Sequence, residues 1–426
     1  MPRVHAVAYD IRAESPAQPR VAAWLRGCLG AGMSVVLYTE RPPGAWVDDL
    51  AATGRLKVLV IADPIRRVYE RLYARAQITR REPGPGVAPR PREGSLWRLG
   101  RGLQGRILFP DPQTIWSRRI GRAIRRRMAP GDLVLTCSRP ESVGTIGEAA
   151  QRRGAVWWFD FADGWCFQGL RPEAMAPGPR RERERSLEAR QVGSADVVST
   201  VDPILAEAFA RLRRDGDVVV YPNLIPDELL LPVDRPIRGR SRLCLAHFGR
   251  LSLSDPKRSL RPLLAVLESA PPIDFRFFGD FNDADRAELE ALAALGHGVI
   301  AAPPLARAEI ASRRDEFDGT LMVASPEQRG SSSKLLDSLG LALPVFAVVP
   351  DPSIAAHIVR DCRAGEVLAF ERLAEGRSCW LRYCEGLRVG RYRVDPDARD
   401  RYTSGAFVPA LVDRMVELMS RVGSRS

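Results

Sequence analysis

Residues 319–345 read GTLMVASPEQRGSSSKLLDSLGLALPV. An apolar strand ends at Ser325, the polar, glycine-containing stretch Pro326–Ser333 makes a turn, and a helix starts near Lys334 with Ser332 or Ser333 as its N-cap. A further apolar run, PVFAVVP (344–350), follows the helix. Backbone N–H groups at such a helix start are free to hold a phosphate, and Lys334 adds a point charge. Asp337, one turn further in, is placed to accept hydrogen bonds from a ribose diol. A capped surface helix with no ligand has the same local pattern.

The alternation extends in both directions. On the amino side lie LCLAHFG (243–249), DFRFFGD (274–280) and GVIAAPP (298–304), with helices expected at 259–269, 283–295, 306–314 and 333–341. An earlier series comprises VHAVAYD (4–10), MSVVLYT (33–39), LKVLVIA (56–62), DLVLTCS (132–138), AVWWFDF (155–161), ADVVSTV (195–201) and DVVVYPN (217–223). Short continuous apolar runs separated by helical stretches are what a parallel sheet covered on both faces requires. The fold class expected is therefore α/β, with two Rossmann-like doubly wound domains facing a cleft. The first spans 1–225 and the second 241–395, with a Pro- and Arg-rich linker at 226–240. Within 396–426, apolar residues at 408, 411, 412, 415, 416, 418 and 419 predict an amphipathic helix that docks on the domains.

A chain of 426 residues suits two such domains, and 45% apolar with 27% charged residues excludes disordered, collagen-like and membrane classes. No apolar run approaches the roughly 18–20 residues that span a bilayer, and no charged-then-apolar leader opens the sequence, so a cytoplasmic protein is expected. The seven cysteines are scattered without a CxxC pair, and the four histidines form no HExxH, so neither a disulfide framework nor a metal centre is indicated. Residues 1–223 hold all of the +12 net charge, and residues 64–130 alone carry 17 basic against 4 acidic side chains. This predicts an anionic membrane surface as partner. Arginine-rich codon bias explains why 61 of the 64 basic residues are arginine, but not why the excess lies in one half. No nucleic-acid motif accompanies the patch, so nucleic acid is not expected.

The stretch 319–345 resembles the donor site of retaining glycosyltransferases with the GT-B fold, family 4 type. That family's pattern runs from an acidic residue through a glycine-containing loop to K-x-x-E-Y-x-x-x-G-x-P-V. Lys334, Pro344 and Val345 match, Asp337 stands at the ribose-binding glutamate, and Ala342 replaces the usual glycine. Glu327 with Gly330 resembles the first half of the two-glutamate motif, although Glu327 and Asp337 are ten residues apart rather than eight. HFGRLSLSDPKRSLRPLLAVLE (247–268) resembles the block whose arginine and lysine bind the donor diphosphate, and it contains Gly249, Arg250 and Lys257. Segments 110–124, 138–165, 186–212 and 218–223 resemble further family blocks in the same order. The loop after the first strand, DIRAESPAQPR (10–20), departs by lacking the usual glycines.

The resemblance implies transfer of a sugar from a nucleotide-sugar donor with retention of configuration and without a metal or other cofactor. The catalytic residues implied are Arg250 and Lys257 on the leaving diphosphate, Glu327 orienting the sugar, and Asp163 facing the cleft from the first domain. Gly249, Ser332, Ser333, Lys334 and Asp337 would bind the nucleotide and phosphates. Loops 280–283 and 303–309 would read the base. The basic first domain then suggests a glycan or lipid-linked acceptor, cell-surface polysaccharide or glycolipid assembly, and a peripheral position at the inner face of the membrane. A soluble natural-product acceptor and a non-catalytic nucleotide-sugar-binding protein are the alternatives.

Overall fold

The computed structural model describes residues 3–12, 15, 17–68, 108–162, 164–166, 178–201, 203–215, 218–236, 239–268 and 270–423. Asp163 and most of the basic segment 64–130 lie outside the described residues.

The chain forms two parallel sheets. The first holds β1 (Arg3–Val7), β2 (Ser34–Thr39), β3 (Leu56–Val60), β4 (Leu133–Ser138), β5 (Val156–Phe161), β6 (Val197–Thr200) and β7 (Val218–Val220). Their spatial order is β3-β2-β1-β4-β5-β6-β7. The second holds β8 (Cys244–Phe248), β9 (Asp274–Phe278), β10 (Gly298–Ala302), β11 (Gly319–Val323), β12 (Val345–Val349) and β13 (Gly365–Ala369), ordered β10-β9-β8-β11-β12-β13. Both are the doubly wound arrangement expected from the sequence. The order reverses between β1 and β4 in one sheet and between β8 and β11 in the other, which opens a crevice at each point.

Burial explains why the strands read as continuous apolar runs. Every residue of β4, β5, β11 and β12 is buried. Trp157 and Trp158 point to opposite faces of β5, and each indole N–H finds an oxygen: Thr136 Oγ1 for Trp157 and Ser199 Oγ for Trp158, both at 2.8 Å. Gly147 lets the helix Gly144–Gln151 lie directly on Trp157, since a Cβ there would sit 1.9 Å from the indole nitrogen.

The carboxy-terminal helix is Ser404–Gly423 and returns to the first domain. Its Leu411, Met415 and Leu418 join the core beneath the helix Gln18–Gly30, with Cys28 Sγ 3.4 Å from Met415 Sδ. The connecting stretch 226–240 is itself packed: Leu229 is fully buried, and Leu231 N–H donates to Gly340 O at 2.9 Å. Strand β13 and the helices Ile354–Asp361 and Gly376–Arg388 complete the second domain beyond the elements expected from the sequence.

Candidate functional site

A cleft of about 1060 Å³ runs between the carboxyl ends of the two sheets and is lined from both domains. Gly249, Arg250, Lys257, Glu327, Ser332, Ser333, Lys334 and Asp337 all line it. Eight candidates drawn from segments 70 or more residues apart in the chain thus meet on one surface.

Gly249 follows β8 with φ +102°, a conformation that disfavours any side chain. Its amide donates to Phe278 O at 2.7 Å, and a Cβ there would meet Lys334 Cε at 2.6 Å. Glycine therefore gives Lys334 its place: Lys334 Nζ donates to Arg250 O over the bare backbone. Lys257 Nζ pairs with Glu327 Oε1, and Arg250 pairs with Asp280 at 2.9 Å. These two ion pairs are solvent-exposed, so each is worth about 0–1 kcal/mol and is readily exchanged.

Ser332 is the N-cap of the helix Ser333–Gly340, but its side chain makes no capping hydrogen bond. The helices Asp283–Ala294 and Ile354–Asp361 do have side-chain caps, from Asn282 and Ser353. Most other helices also lack a side-chain cap, but this helix start lines the cleft, so its first N–H groups are placed to meet an anion there.

Burial shifts two groups here toward neutrality. Lys334 is lowered to about 7, chiefly by burial and then by the nearby Arg258 guanidinium. Asp337 is raised to about 6, chiefly by burial, while Arg307 opposes the shift. Asp337 Oδ1 and Ser331 Oγ are buried without a hydrogen-bond partner among the described residues. Polar atoms left so are expensive unless a ligand satisfies them.

Several cleft residues escaped the sequence reading. Arg258 is buried, donates to Gln328 Oε1 at 2.8 Å and to Arg250 O at 3.3 Å, and ties the β8 loop to the β11 loop. Burial lowers its basicity. Its place beside Lys257, where a glycine is usual in the motif, was the available signal. Arg307 reaches across the cleft to Gln18 Oε1 and Ser15 O, both at 3.4 Å. Arg20 lines the floor but is held by Asp160 at 2.5 Å and lies over the Tyr221 ring at 4.3 Å.

Other residues are placed differently. Of the two loops expected to read a base, Pro304–Arg307 lines the cleft, whereas 280–283 does not. Asp280 is taken by Arg250, and Asn282 caps its own helix, so that loop is committed to local bonds. His247 is a strand residue bonded to Leu321 O at 3.0 Å, and burial keeps it well below the usual histidine range. Trp165 is core. In the glycine-free loop after β1, Arg12 folds onto Asp10 through bonds of 2.9 and 2.8 Å, and Asp10, Ile11 and Ser15 reach the cleft.

No protein-family model matches the chain, and a comparison with curated protein sequences finds no match. Solved structures do match in fold over the whole length. A glycosyltransferase from Rickettsia africae superposes with TM-score 0.61 at 10% identity, covering 100% of this chain and 99% of that one. Sucrose-phosphate synthase from Thermosynechococcus elongatus gives 0.61 at 14% identity, covering both chains fully. The Anabaena protein Alr3699/HepE, in complex with UDP and glucose, gives 0.59 at 13% identity over 99% of this chain and 100% of that one. The chain has the GT-B architecture of two Rossmann-like domains facing a cleft.

Proposed function

We propose that the protein is a nucleotide-sugar-dependent glycosyltransferase that retains anomeric configuration. The observation that carries this reading is the convergence of Arg250, Lys257, Arg258, Lys334 and an uncapped helix start on one cleft. Four cations and a set of free N–H groups form a receptor for a diphosphate. Charge develops on the leaving diphosphate oxygen as the glycosidic bond to the donor breaks, and preorganised donors aimed there lower the barrier most. Arg250 and Lys257 exchange Asp280 and Glu327 for phosphate oxygens, which frees Glu327 to orient the sugar. Asp337 takes the ribose through its unpartnered Oδ1. Pro304, Leu305 and Ile310 offer the base an apolar wall. The cations stand in for a metal ion, so turnover proceeds without Mg²⁺.

The acceptor enters from the first domain, past Tyr9, Asp10 and Arg139. The surplus of positive charge in that half supports a lipid-linked or surface-glycan acceptor handled at an anionic membrane. No helix among the described residues is long and apolar enough to cross a membrane. The test is a thermal-shift panel of UDP, GDP, ADP, TDP and CDP, each with and without Mg²⁺. One base should raise the melting temperature without metal, by the equivalent of about 2.7 kcal/mol at a hundredfold excess over Kd. Arg250→Ala should abolish the shift. A panel with no shift refutes the donor site, and binding without turnover of the matching nucleotide-sugar favours a non-catalytic binder.

A further inference from the structure

The helix Thr114–Arg125 carries four arginines and no acidic residue, and Arg126 and Arg127 extend the run. Trp116, Ile120 and Ile124 bury one face against the sheet. Arg118, Arg119, Arg122, Arg125 and Arg126 occupy the opposite face, all exposed. Their spacing of three and four residues stacks like charges along a helix of 12 residues, about 18 Å long. Among the described residues no carboxylate pairs with any of the five; Arg119 bonds only the backbone oxygen of Ala62, at 3.0 Å.

Like charges at these spacings disfavour a helix, and ordinary surfaces interleave the two signs. The helix dipole accounts for Arg122 and Arg125 in the last turn but not for Arg118 and Arg119. Codon bias selects arginine over lysine and leaves the missing carboxylates unexplained. Among the described residues the stripe thus has no compensating carboxylate, and an external anion would supply the negative charge. Exposed Arg152 and Arg153 continue the positive surface at the far end, where Gly131 N–H bonds Gly154 O at 2.8 Å. At the near end, Ser117 Oγ meets Ser142 Oγ at 2.8 Å, three residues from cleft-lining Arg139. The stripe therefore runs from the cleft lip down the side of the first domain.

We propose that this arginine face is the surface by which the protein docks on an anionic phospholipid bilayer, holding the cleft beside the membrane plane. The bilayer is favoured over nucleic acid because the exposed face of the helix is all guanidinium and presents no aromatic ring on which a base stacks. The proposal rests on the functional reading above only for what the bilayer carries, an amphiphilic acceptor delivered at the cleft lip.

The experiment is co-sedimentation of the full chain with phosphatidylglycerol–phosphatidylcholine vesicles, against pure phosphatidylcholine, at low and high salt. Wild type should bind the anionic vesicles, and added salt should release it. Replacing Arg118→Gln, Arg122→Gln and Arg125→Gln together should weaken partition roughly a hundredfold. Replacing Arg286→Gln, Arg377→Gln and Arg388→Gln, exposed on the second domain, makes the same change of net charge and should leave binding intact. The stripe variant should also melt no lower than wild type and keep its nucleotide-induced thermal shift. Loss of that shift would be a failure of the donor site, read separately from docking. Equal sedimentation of the stripe variant and wild type overturns the proposal, as does binding to neutral vesicles alone. So does a wild type that ignores vesicles and binds an RNA homopolymer.

Discussion

Donor binding should take up a proton, and Lys334 should be its source of pH dependence. In the free protein burial lowers this lysine from the usual 10.5 to about 7, helped by Arg258 and Arg250 and opposed by Asp337 and Asp285. A diphosphate brings negative charge to those two arginines and to Lys334 itself, so the bound state favours the ammonium. If bound Lys334 titrates above about 9, binding near pH 8 takes up roughly 0.8 proton per nucleotide, and affinity falls about sixfold per pH unit around pH 8. Asp337, titrating at about 6 because of burial, gives the acid limb: below that pH its carboxylate is lost as an acceptor. Affinity for a nucleotide-sugar, whose bridged diphosphate does not titrate in this range, should therefore peak between these limbs. Calorimetry near pH 8 in two buffers of different ionisation heat reads the proton directly. Lys334→Met should remove the uptake and flatten the alkaline limb. Negligible uptake by wild type, or the same uptake in Lys334→Met, refutes the reasoning. In the unliganded protein the stability signs are separate. The lysine's burial penalty is complete below about pH 7 and is relieved as pH rises toward 10.5, while that of Asp337 is complete above about 6 and is relieved as pH falls toward 3.8.

Three further outcomes follow from single contacts. Gly249→Ala adds a methyl 2.6 Å from Lys334 Cε at a positive φ, so it should lower stability by about 1–3 kcal/mol and weaken nucleotide binding; unchanged denaturant midpoint and affinity would contradict this. Lys257→Ala breaks an exposed pair and should change stability by less than about 1 kcal/mol. Yet it should lower turnover of a matched nucleotide-sugar by roughly a hundredfold or more, whereas equal turnover removes Lys257 from the mechanism. Asp160→Asn leaves Arg20 buried without its carboxylate and should cost about 3–5 kcal/mol by urea unfolding; a loss below 1 kcal/mol would show that Tyr221 O and Pro222 O suffice.

The central strands were legible because a strand buried on both faces is apolar at nearly every position: VFAVV is wholly so, and VVLYT and VWWFDF depart only at Thr39 and Asp160. β13 was harder: GEVLA is short, begins with a glycine at φ +149° and carries Glu366, whose carboxylate accepts from Tyr392 Oη at 2.8 Å. Its partner is 26 residues away, beyond any local pattern. The second-domain half of the cleft was legible because Gly249 follows a strand and Lys334 and Asp337 open a helix that the pattern fixes, while Lys257 was found only through the resemblance of 247–268. Arg307 and Arg20 were not, because nothing local separates a cleft arginine from the other arginines of this sequence; Arg258 had only its place beside Lys257 to mark it. Only the fold brings Arg307 to Gln18 and Arg20 to Asp160, across 289 and 140 residues.

Among so many arginines, the strength of the bond each already makes separates working cations from structural ones. Arg20 is held at 2% exposure by both oxygens of Asp160, which in turn accepts from Ser199 Oγ at 2.5 Å. Withdrawing it for a ligand would strand a buried carboxylate, a loss no single phosphate contact offsets. Arg250 and Lys257 hold exposed carboxylates that water solvates once released, so a diphosphate would take both cations at little cost. Arg258 lies between: it is buried, it bonds an amide and a backbone oxygen rather than a carboxylate, and its positive charge remains uncancelled by any direct ion pair among the described residues. A buried cation in that state, lining the cleft, is stabilised by an incoming anion without giving up a partner. By this argument Arg258→Gln should weaken diphosphate affinity at least as much as Arg250→Ala does, even though Arg250 is the more exposed and the more obvious of the two.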